Sequence, residues 1–285
     1  MKTVETVSGV RQQLDGIDPS LIGFVPTMGA LHEGHLSLAL RAVNECRRVV
    51  VSIFVNPTQF NDKDDLKNYP RTIPGDLKLL GTVLRADDLV FIPSVKEIYP
   101  SEDKRIFSFG TLDKVMEGAH RPGHFNGVAQ VVSRLFDIVS PGIAYFGQKD
   151  FQQLTIIKDL VRQHGYDIKI IACPIIREPD GLAMSSRNRL LEPEIRKNAP
   201  VIFKTISEAA SIVNSTEINQ VKEFVTGKVN SINGYSLEYF EIVDDVSLIP
   251  VNTRKDMLPG KKYYGCIAVK AGKIRLIDNI EIPLH

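Results

Sequence analysis

Two histidines, His32 and His35, lie three residues apart in the segment PTMGALHEGH at 26–35. An apolar run at 21–25 precedes this segment and a run with helical spacing follows it, which predicts a strand, a glycine-containing turn and a helix. The start of a helix favours an anion, because unpaired N–H groups and the positive end of the helix dipole point out of it. Imidazoles beside it can donate hydrogen bonds as charge builds on a phosphate. The segment therefore predicts a nucleotide phosphate site.

The same two imidazoles could instead ligate a metal, or be ordinary solvated or core side chains. The spacing His-Glu-Gly-His differs from the His-Glu-x-x-His motif, which puts two imidazoles and a catalytic glutamate on one helical face. The glycines and the strand–helix order favour a phosphate over zinc or chance.

The segment GQKD at 147–150 also precedes a run with helical spacing. Asp150 and Gln153 have the spacing of a capping box, so starting the helix explains these two residues as well as ligand binding does. It does not explain Lys149, because a cation is unfavourable at a helix N-terminus. Beside a bound anion, Lys149 would supply the point charge of a phosphate-binding lysine.

A loop at 184–189, MSSRNR, carries two hydroxyls and two guanidiniums, which can hydrogen-bond a polyphosphate. Such loops are common, and this one gains weight from the segment at 26–35. Together the two segments predict a clamp on a nucleotide triphosphate, with one loop on each side of a parallel sheet.

Two further loops are candidates for binding a small acid. The amides in NPTQF at 56–60 can donate and accept hydrogen bonds, as a hydroxy-carboxylate requires, although an Asn-Pro turn explains the loop equally well. In the basic loop at 120–125, Arg121 could steer a carboxylate or a phosphate, or could simply be solvated.

Composition excludes several classes of protein. The net charge is +1, from 35 basic and 34 acidic residues, so no overall field recruits nucleic acid or membrane. The chain has no apolar run long enough to cross a bilayer, and residues 1–11 do not resemble a secretory signal. Its three cysteines are odd in number and far apart, which suits the reducing cytoplasm. No P-loop and no Gly-x-Ser-x-Gly elbow occurs, so covalent enzyme intermediates are not the leading hypothesis.

Strand-like and helical runs alternate in the first two thirds of the chain, which predicts an α/β fold with a Rossmann-like, doubly wound parallel sheet over residues 1–177. Residues 178–285 are predicted to form a smaller C-terminal α+β domain that carries the MSSR loop at its start. The predicted strands are 21–25, 48–55, 89–92, 143–146 and 168–172, followed by helices at 193–213 and 217–232 and strands at 236–243, 264–270 and 273–278. Because ligands bind beyond the carboxyl ends of parallel strands, the candidate loops should meet at one edge.

Six blocks in register resemble the pantothenate synthetase (pantoate–β-alanine ligase) family, within the nucleotidyltransferase superfamily related to class I aminoacyl-tRNA synthetases. The blocks are PTMGALHEGH at 26–35, VSIFVNPTQF at 51–60, YPRT at 69–72, RPGHFNGV at 121–128, YFGQKDFQQ at 145–153 and LAMSSRNRLL at 182–191. His-Glu-Gly-His resembles the His-Ile-Gly-His motif of the superfamily, and the MSSR loop resembles its Lys-Met-Ser-Lys-Ser loop. The C-terminal region matches less distinctively.

The resemblance implies a reaction in which pantoate attacks the α-phosphate of ATP to give pantoyl adenylate and pyrophosphate. The amine of β-alanine then attacks the acyl carbon and releases pantothenate and AMP. It also implies Mg²⁺ with the ATP substrate, a homodimer and a cytoplasmic location. The metal ligand stays open, with Asp76 near it, and the charged segment 62–71 is a candidate lid.

The resemblance also implies roles for individual residues. The catalytic residues would be His35, His32, Lys149 and Arg187, and Gln59 and Gln153 would bind pantoate, with Gln59 also near β-alanine. The ATP site would be formed by Met28, Gly29, Ala30, Leu31, His32, Glu33, Gly34, His35, Gly147, Gln148, Lys149, Asp150, Ile176, Met184, Ser185, Ser186 and Arg187. Two other functions stay open: a nucleotidyltransferase that acts on a phosphorylated substrate, and a nucleotide sensor without catalysis.

Overall fold

The computed structural model describes residues 1–61 and 63–284. The first sheet contains β1 Lys2–Val4, β2 Ile22–Thr27, β3 Arg48–Ile53, β4 Leu89–Phe91, β5 Ile143–Gly147 and β6 Lys169–Cys173. Its helices are α1 Val7–Leu14, α2 Glu33–Glu45, α3 Lys63–Asn68, α4 Ile73–Leu80, α5 Val95–Ile98, α6 Met116–His120, α7 His124–Val139 and α8 Phe151–His164. The C-terminal part contains α9 Pro193–Asn198, α10 Val201–Ile212, α11 Ile218–Asn230, β7 Tyr235–Asp244, β8 Tyr263–Ala271 and β9 Ile274–Ile282.

The strands of the first sheet run in the order β1-β4-β3-β2-β5-β6, and every neighbouring pair is parallel. The chain leaves β2 through α2 towards β3, whereas β5 pairs with the opposite side of β2. The strand order therefore reverses between β2 and β5. In open parallel sheets, ligands bind in the crevice beyond the carboxyl ends of the strands at such a point.

Both faces of this sheet are buried, which confirms the doubly wound prediction. Phe24 and Val50 face a core that includes α7 and α8, whereas Val25 and Val51 face a separate core with α2 and α4. Successive residues of a strand point to opposite faces, so strands covered on both sides read as continuous apolar runs.

The smaller C-terminal sheet is antiparallel, in the order β7-β8-β9, and α10 and α11 pack against it, as the α+β prediction requires. The segment after β6 is tied to this sheet, because Arg177 donates two hydrogen bonds to the Asp278 carboxylate at 2.6 and 3.0 Å. The division at residues 177/178 stays a prediction. None of the described helices combines the length and the apolar character that crossing a bilayer requires.

Two elements differ from the sequence prediction. The helix proposed over 193–213 is two helices, α9 and α10, and Pro200 lies between them. Proline has no N–H to donate and so cannot continue the hydrogen-bond ladder of the preceding helix. The edge strand β1 was not predicted, because three residues are too few to show a hydrophobic period.

Candidate functional site

The loops that follow β2, β3, β5 and β6 meet at the carboxyl edge of the first sheet, around two adjoining cavities. The smaller cavity has a volume of about 230 Å³ and is lined by both His35 and Arg187. The larger has a volume of about 660 Å³ and is also lined by the C-terminal sheet. The residues common to both are Tyr69, Lys149, Asp150, Gln153, Ser185 and Arg187. The two cavities therefore form one continuous site.

The turn after β2 has an unusual backbone that is fixed from outside. Gly29 and Ala30 have φ of +82° and +50°, in the left-handed region that side chains rarely adopt. The Asp76 carboxylate, only 2% exposed, accepts hydrogen bonds from the N–H groups of Ala30 and Leu31 at 3.0 and 2.8 Å. Thr72 Oγ1 donates a third at 3.0 Å. Asp76 thus holds the turn that leads to the histidines.

The two histidines cap α2 through Nδ1, and both residues line the smaller cavity. His32 Nδ1 accepts from the N–H of Gly34 at 3.2 Å, and His35 Nδ1 accepts from the N–H of His32 at 3.4 Å. Burial, together with nearby cations such as Lys149, lowers the pKa of His32 to about 4. Burial and the neighbouring His32 lower the pKa of His35 to about 3. Both rings are therefore neutral at pH 7, and since Nδ1 accepts, Nε2 carries the proton.

The turn before α8 presents a cation and an amide. Within residues 1–61 and 63–284, neither the Lys149 ammonium nor the Gln153 side chain has a hydrogen-bond partner, and both line both cavities. Asp150 is the N-cap residue of α8, but its side chain makes no capping hydrogen bond, so the capping box is not formed. Burial lowers the pKa of Lys149, with Asp150 and Asp278 opposing the shift. Both side chains are available to a ligand.

The MSSR loop also lines the smaller cavity, with Met184 close to Gly34 at the start of α2. Ser185 Oγ accepts from the N–H of Arg187 at 3.3 Å, and the N–H of Met184 donates to the carbonyl of Ile176 at 2.9 Å. The Arg187 guanidinium forms an ion pair at 3.2 Å with Asp65 in α3. An anion in the site would compete with this carboxylate for the guanidinium.

The two amide side chains of the loop after β3, Asn56 and Gln59, differ in their hydrogen bonds. Both polar groups of Asn56 are engaged within the protein, because its Nδ2 donates to Gln59 Oε1 at 3.1 Å and its Oδ1 accepts from the Tyr99 hydroxyl at 2.8 Å. Gln59 is held in place by this contact and by Met28, and its side chain lines the smaller cavity. Both side chains line the smaller cavity, but among the described residues Gln59 Nε2 donates only to the Met28 sulfur, at 3.2 Å, so Gln59 is the better placed of the two to bind a ligand.

Most of the predicted ATP-binding residues line the smaller cavity. They are Met28, His32, Gly34, His35, Gly147, Lys149, Asp150, Ile176, Met184, Ser185, Ser186 and Arg187. The structure does not bring Gly29, Ala30, Leu31, Glu33 or Gln148 to either cavity wall. The turn at 29–31 faces Asp76, Glu33 is exposed on α2, and Gln148 Nε2 donates to Asn279 at 3.4 Å.

Within the candidate lid at 62–71, α3 lines the larger cavity and Tyr69 lines both cavities. Asp62 lies outside the described residues.

The sequence analysis did not identify the contribution of the C-terminal sheet. Asn279 Nδ2 donates to the carbonyls of Gln148 and Lys149 at 2.9 and 3.1 Å, and Arg275 and Asp278 line the larger cavity. The available signal was the pair of adjacent polar residues Asp278 and Asn279 in an otherwise apolar run, but it does not reveal their partners.

No group of three or more His, Cys, Asp or Glu side chains is arranged to hold a metal ion in the described parts of the chain. The Asp76 carboxylate, considered near the metal from sequence, already accepts three hydrogen bonds from the protein. The residues therefore do not form a protein cage for Mg²⁺.

Comparison with known proteins gives a consistent family. The family model for pantoate–β-alanine ligase matches residues 2–281. The chain is 49% identical over 283 residues to the pantothenate synthetase of Bacteroides thetaiotaomicron, and this covers 99% of each chain. It is 50% identical over 284 residues to that of Phocaeicola vulgatus, again with 99% of each chain covered.

Two solved structures agree. The pantothenate synthetase of Thermus thermophilus superposes with a TM-score of 0.91 at 39% identity, covering 100% of both chains. The pantoate–β-alanine ligase of Francisella tularensis, complexed with βγ-ATP and β-alanine, gives a TM-score of 0.80 at 35% identity, covering 98% of this chain and 97% of that one. The chain therefore belongs to the pantoate–β-alanine ligase family.

Proposed function

We propose that this protein condenses (R)-pantoate with β-alanine at the expense of ATP, through a pantoyl-adenylate intermediate, releasing AMP and pyrophosphate. One observation carries the proposal. Two neutral histidines, two cations and two glutamine side chains, from four distant segments of the chain, line the smaller cavity. The residues are His32, His35, Lys149, Arg187, Gln59 and Gln153.

In the first step, a carboxylate oxygen of pantoate attacks the α-phosphorus of ATP and the bond to pyrophosphate breaks. Negative charge grows on the phosphate oxygens, and Lys149 and Arg187 would stabilise it on the pyrophosphate side. The Nε2–H groups of His32 and His35 would donate to the reacting phosphate. Preorganised donors of this kind cost no rearrangement at the moment of reaction.

In the second step, the amine of β-alanine loses a proton and attacks the acyl carbon. The new C–N bond forms, the C–O bond to AMP breaks, and a second proton leaves the nitrogen. Gln59 and Gln153 would hold the pantoyl group, with Gln59 also near β-alanine. The adenylate must be kept from water until the amine arrives, and α3 is placed to cover it.

Magnesium is proposed to enter bound to the triphosphate, because the described residues offer no cage of their own. Mg²⁺ in nucleotide sites is held largely by phosphates and water, with one or two carboxylates at most. When bound, it would neutralise charge on the phosphates.

We also propose a homodimer and a cytoplasmic location, both on the basis of the family resemblance. Sedimentation of the purified protein would test the homodimer.

The decisive experiment is incubation of the purified protein with ATP, Mg²⁺, pantoate and β-alanine. We expect AMP and pantothenate in equal amounts, and pantoate-dependent exchange of pyrophosphate into ATP when β-alanine is left out. Exchange that needs a phosphorylated acceptor instead of pantoate would indicate another nucleotidyltransferase. ATP binding without AMP formation, whichever acid is supplied, would indicate a nucleotide sensor. Each of these two results would refute the proposed function.

A further inference from the structure

Arg121 is one of the cations around the larger cavity, and most of the hydrogen-bonding capacity of its guanidinium is unused. Arg121 lines this cavity but not the smaller one, and its side chain is 27% exposed. A guanidinium carries five N–H donors. Among the described residues, the Arg121 guanidinium makes one hydrogen bond, from Nη1 to His124 Nε2 at 3.2 Å. The remaining donors are free for a ligand.

No carboxylate neutralises Arg121 closely within the described residues. The nearest is Glu117, at 3.9 Å, and Arg275 already binds both oxygens of Glu117 at 2.6 and 2.7 Å. Arg275 is itself shared between Glu117 and Glu238. Arg121 is therefore a partly buried cation beside a carboxylate that another arginine occupies.

A buried histidine fixes Arg121 beside the small-acid site. His124 is 6% exposed, and its Nδ1 lies 2.8 Å from the carbonyl oxygen of Gln59, which can only accept. Nδ1 therefore carries the proton, and Nε2 must be the acceptor for Arg121. The chain Arg121–His124–Gln59 places the guanidinium next to the glutamine that lines the smaller cavity.

We propose that Arg121 binds the carboxylate of β-alanine and thereby aims its amine at the acyl carbon in the smaller cavity. This inference rests on the proposed function. β-Alanine has an amine and a carboxylate separated by two methylenes. When its amine meets the acyl carbon, its carboxylate therefore lies only a short distance away, and a cation at that distance can bind it. Lys149 and Arg187 line both cavities and are assigned to the triphosphate, whereas Arg121 lines the larger cavity and not the smaller one.

The first test separates the two half-reactions in Arg121→Gln and Arg121→Lys. We expect the KM for β-alanine to rise by about 10- to 100-fold in Arg121→Gln, the loss typical of a hydrogen bond to a charged group, and by less in Arg121→Lys. Pantoate-dependent pyrophosphate exchange, which needs no β-alanine, should stay within about twofold of the starting protein and also shows that the variants fold. A parallel fall in exchange and in ATP affinity would assign Arg121 to phosphate and overturn the proposal.

The second test uses 3-aminopropan-1-ol, an amine of the same length without the carboxylate. The unmodified protein should prefer β-alanine strongly in kcat/KM, and Arg121→Gln should remove most of that preference. Lys273→Gln, which removes an exposed cation from the wall of the same cavity, is the matched control and should keep the preference. Equal effects of both variants would mean a general field rather than a binding contact. If the unmodified protein makes no pantothenate, the proposed function fails; if it does and Arg121→Gln keeps the preference, only this inference fails.

Discussion

Asp76 has its effect through the backbone rather than through a ligand. Its two oxygens accept the N–H groups of Ala30 and Leu31 separately, and Thr72 adds a third donor. A turn with two successive residues at positive φ persists only when the surrounding structure determines it. Because Asp76 lines neither cavity, we infer that its carboxylate positions His32 and His35 through this turn rather than by binding a ligand.

Asp76→Asn should disturb this turn while preserving the shape of the side chain. The amide keeps one acceptor oxygen but must turn its NH₂ towards a backbone N–H. We expect a loss of about 1–3 kcal/mol in the free energy of unfolding, measured with urea. Pyrophosphate exchange should fall by about 10²-fold, because misplaced donors lose much of their effect. Asp87→Asn, an exposed control, should change neither, and normal exchange in Asp76→Asn would contradict the positioning role.

His35→Ala removes a neutral donor that faces the smaller cavity. Pantoate-dependent pyrophosphate exchange should fall by about 10²–10³-fold if Nε2–H stabilises the charge that develops on the phosphate. The binding of ATP measured by calorimetry should change much less, because the donor matters most in the transition state. An unchanged exchange rate would remove His35 from the mechanism.

At the scale of elements, two neighbouring glutamines at the start of α8 differ in their hydrogen bonds, and this difference separates a structural role from ligand binding. Gln152 is buried and makes three hydrogen bonds, to the N–H of Glu117 and to the carbonyls of Leu112 and Val115. Gln153 makes none in the part of the chain described here and faces the cavities. One side chain is therefore structural, whereas its neighbour is free for a ligand.

Gln153→Ala should leave the free energy of unfolding within about 0.5 kcal/mol, since no capping bond is lost. Its KM for pantoate should rise by about 10-fold or more, because a ligand hydrogen bond disappears. Gln152→Ala should show the reverse pattern, with a loss of about 1–3 kcal/mol in stability. If the stability of Gln153→Ala falls with normal pantoate kinetics, Gln153 is structural.

Local signals in the sequence were sufficient for the elements that carry the site. The strand, turn and helix around His32 follow from apolar spacing and glycines, and β2 and α2 lie where these signals place them. The long-range hydrogen bonds that hold these elements together could not be predicted. Asp76 accepts from the N–H of Leu31, 45 residues away, and Asn279 donates to the carbonyl of Lys149 from a different sheet. Hydrophobic periodicity identifies an element but carries no information on such distant polar partners.

For the whole molecule, the larger cavity lies where the two sheets are joined by a polar network. Glu117 in α6 binds Arg275 in β9 through both oxygens and also accepts from the Tyr239 hydroxyl of β7 at 2.8 Å. Bidentate pairs of this kind fix orientation as well as distance. These contacts therefore fix α6, which immediately precedes Arg121, against the C-terminal sheet.

Three histidines around the site make the stability of the whole fold depend on pH. His32, His35 and His124 are each kept neutral, chiefly by burial, with pKa values of about 4, 3 and 4. In the unfolded chain their pKa is about 6.5. As the pH falls below that value, the unfolded state binds more protons than the folded state, so the free energy of unfolding decreases. Most carboxylates begin to titrate only below about pH 5, so the change in the free energy of unfolding above that pH comes from the histidines.

We therefore expect the urea midpoint to fall as the pH is lowered from about 6.5 to 5, with each fully shifted histidine contributing up to about 1.4 kcal/mol per pH unit. His124, 6% exposed, is the clearest case. His124→Gln removes one titrating group and should reduce the slope of stability against pH by about a third, even if the variant is less stable at about pH 7.5. Comparing slopes rather than absolute stabilities separates titration from lost packing. Equal slopes in the two proteins would mean that His124 is protonated in the folded state, and Nε2 could then not accept the hydrogen bond from Arg121.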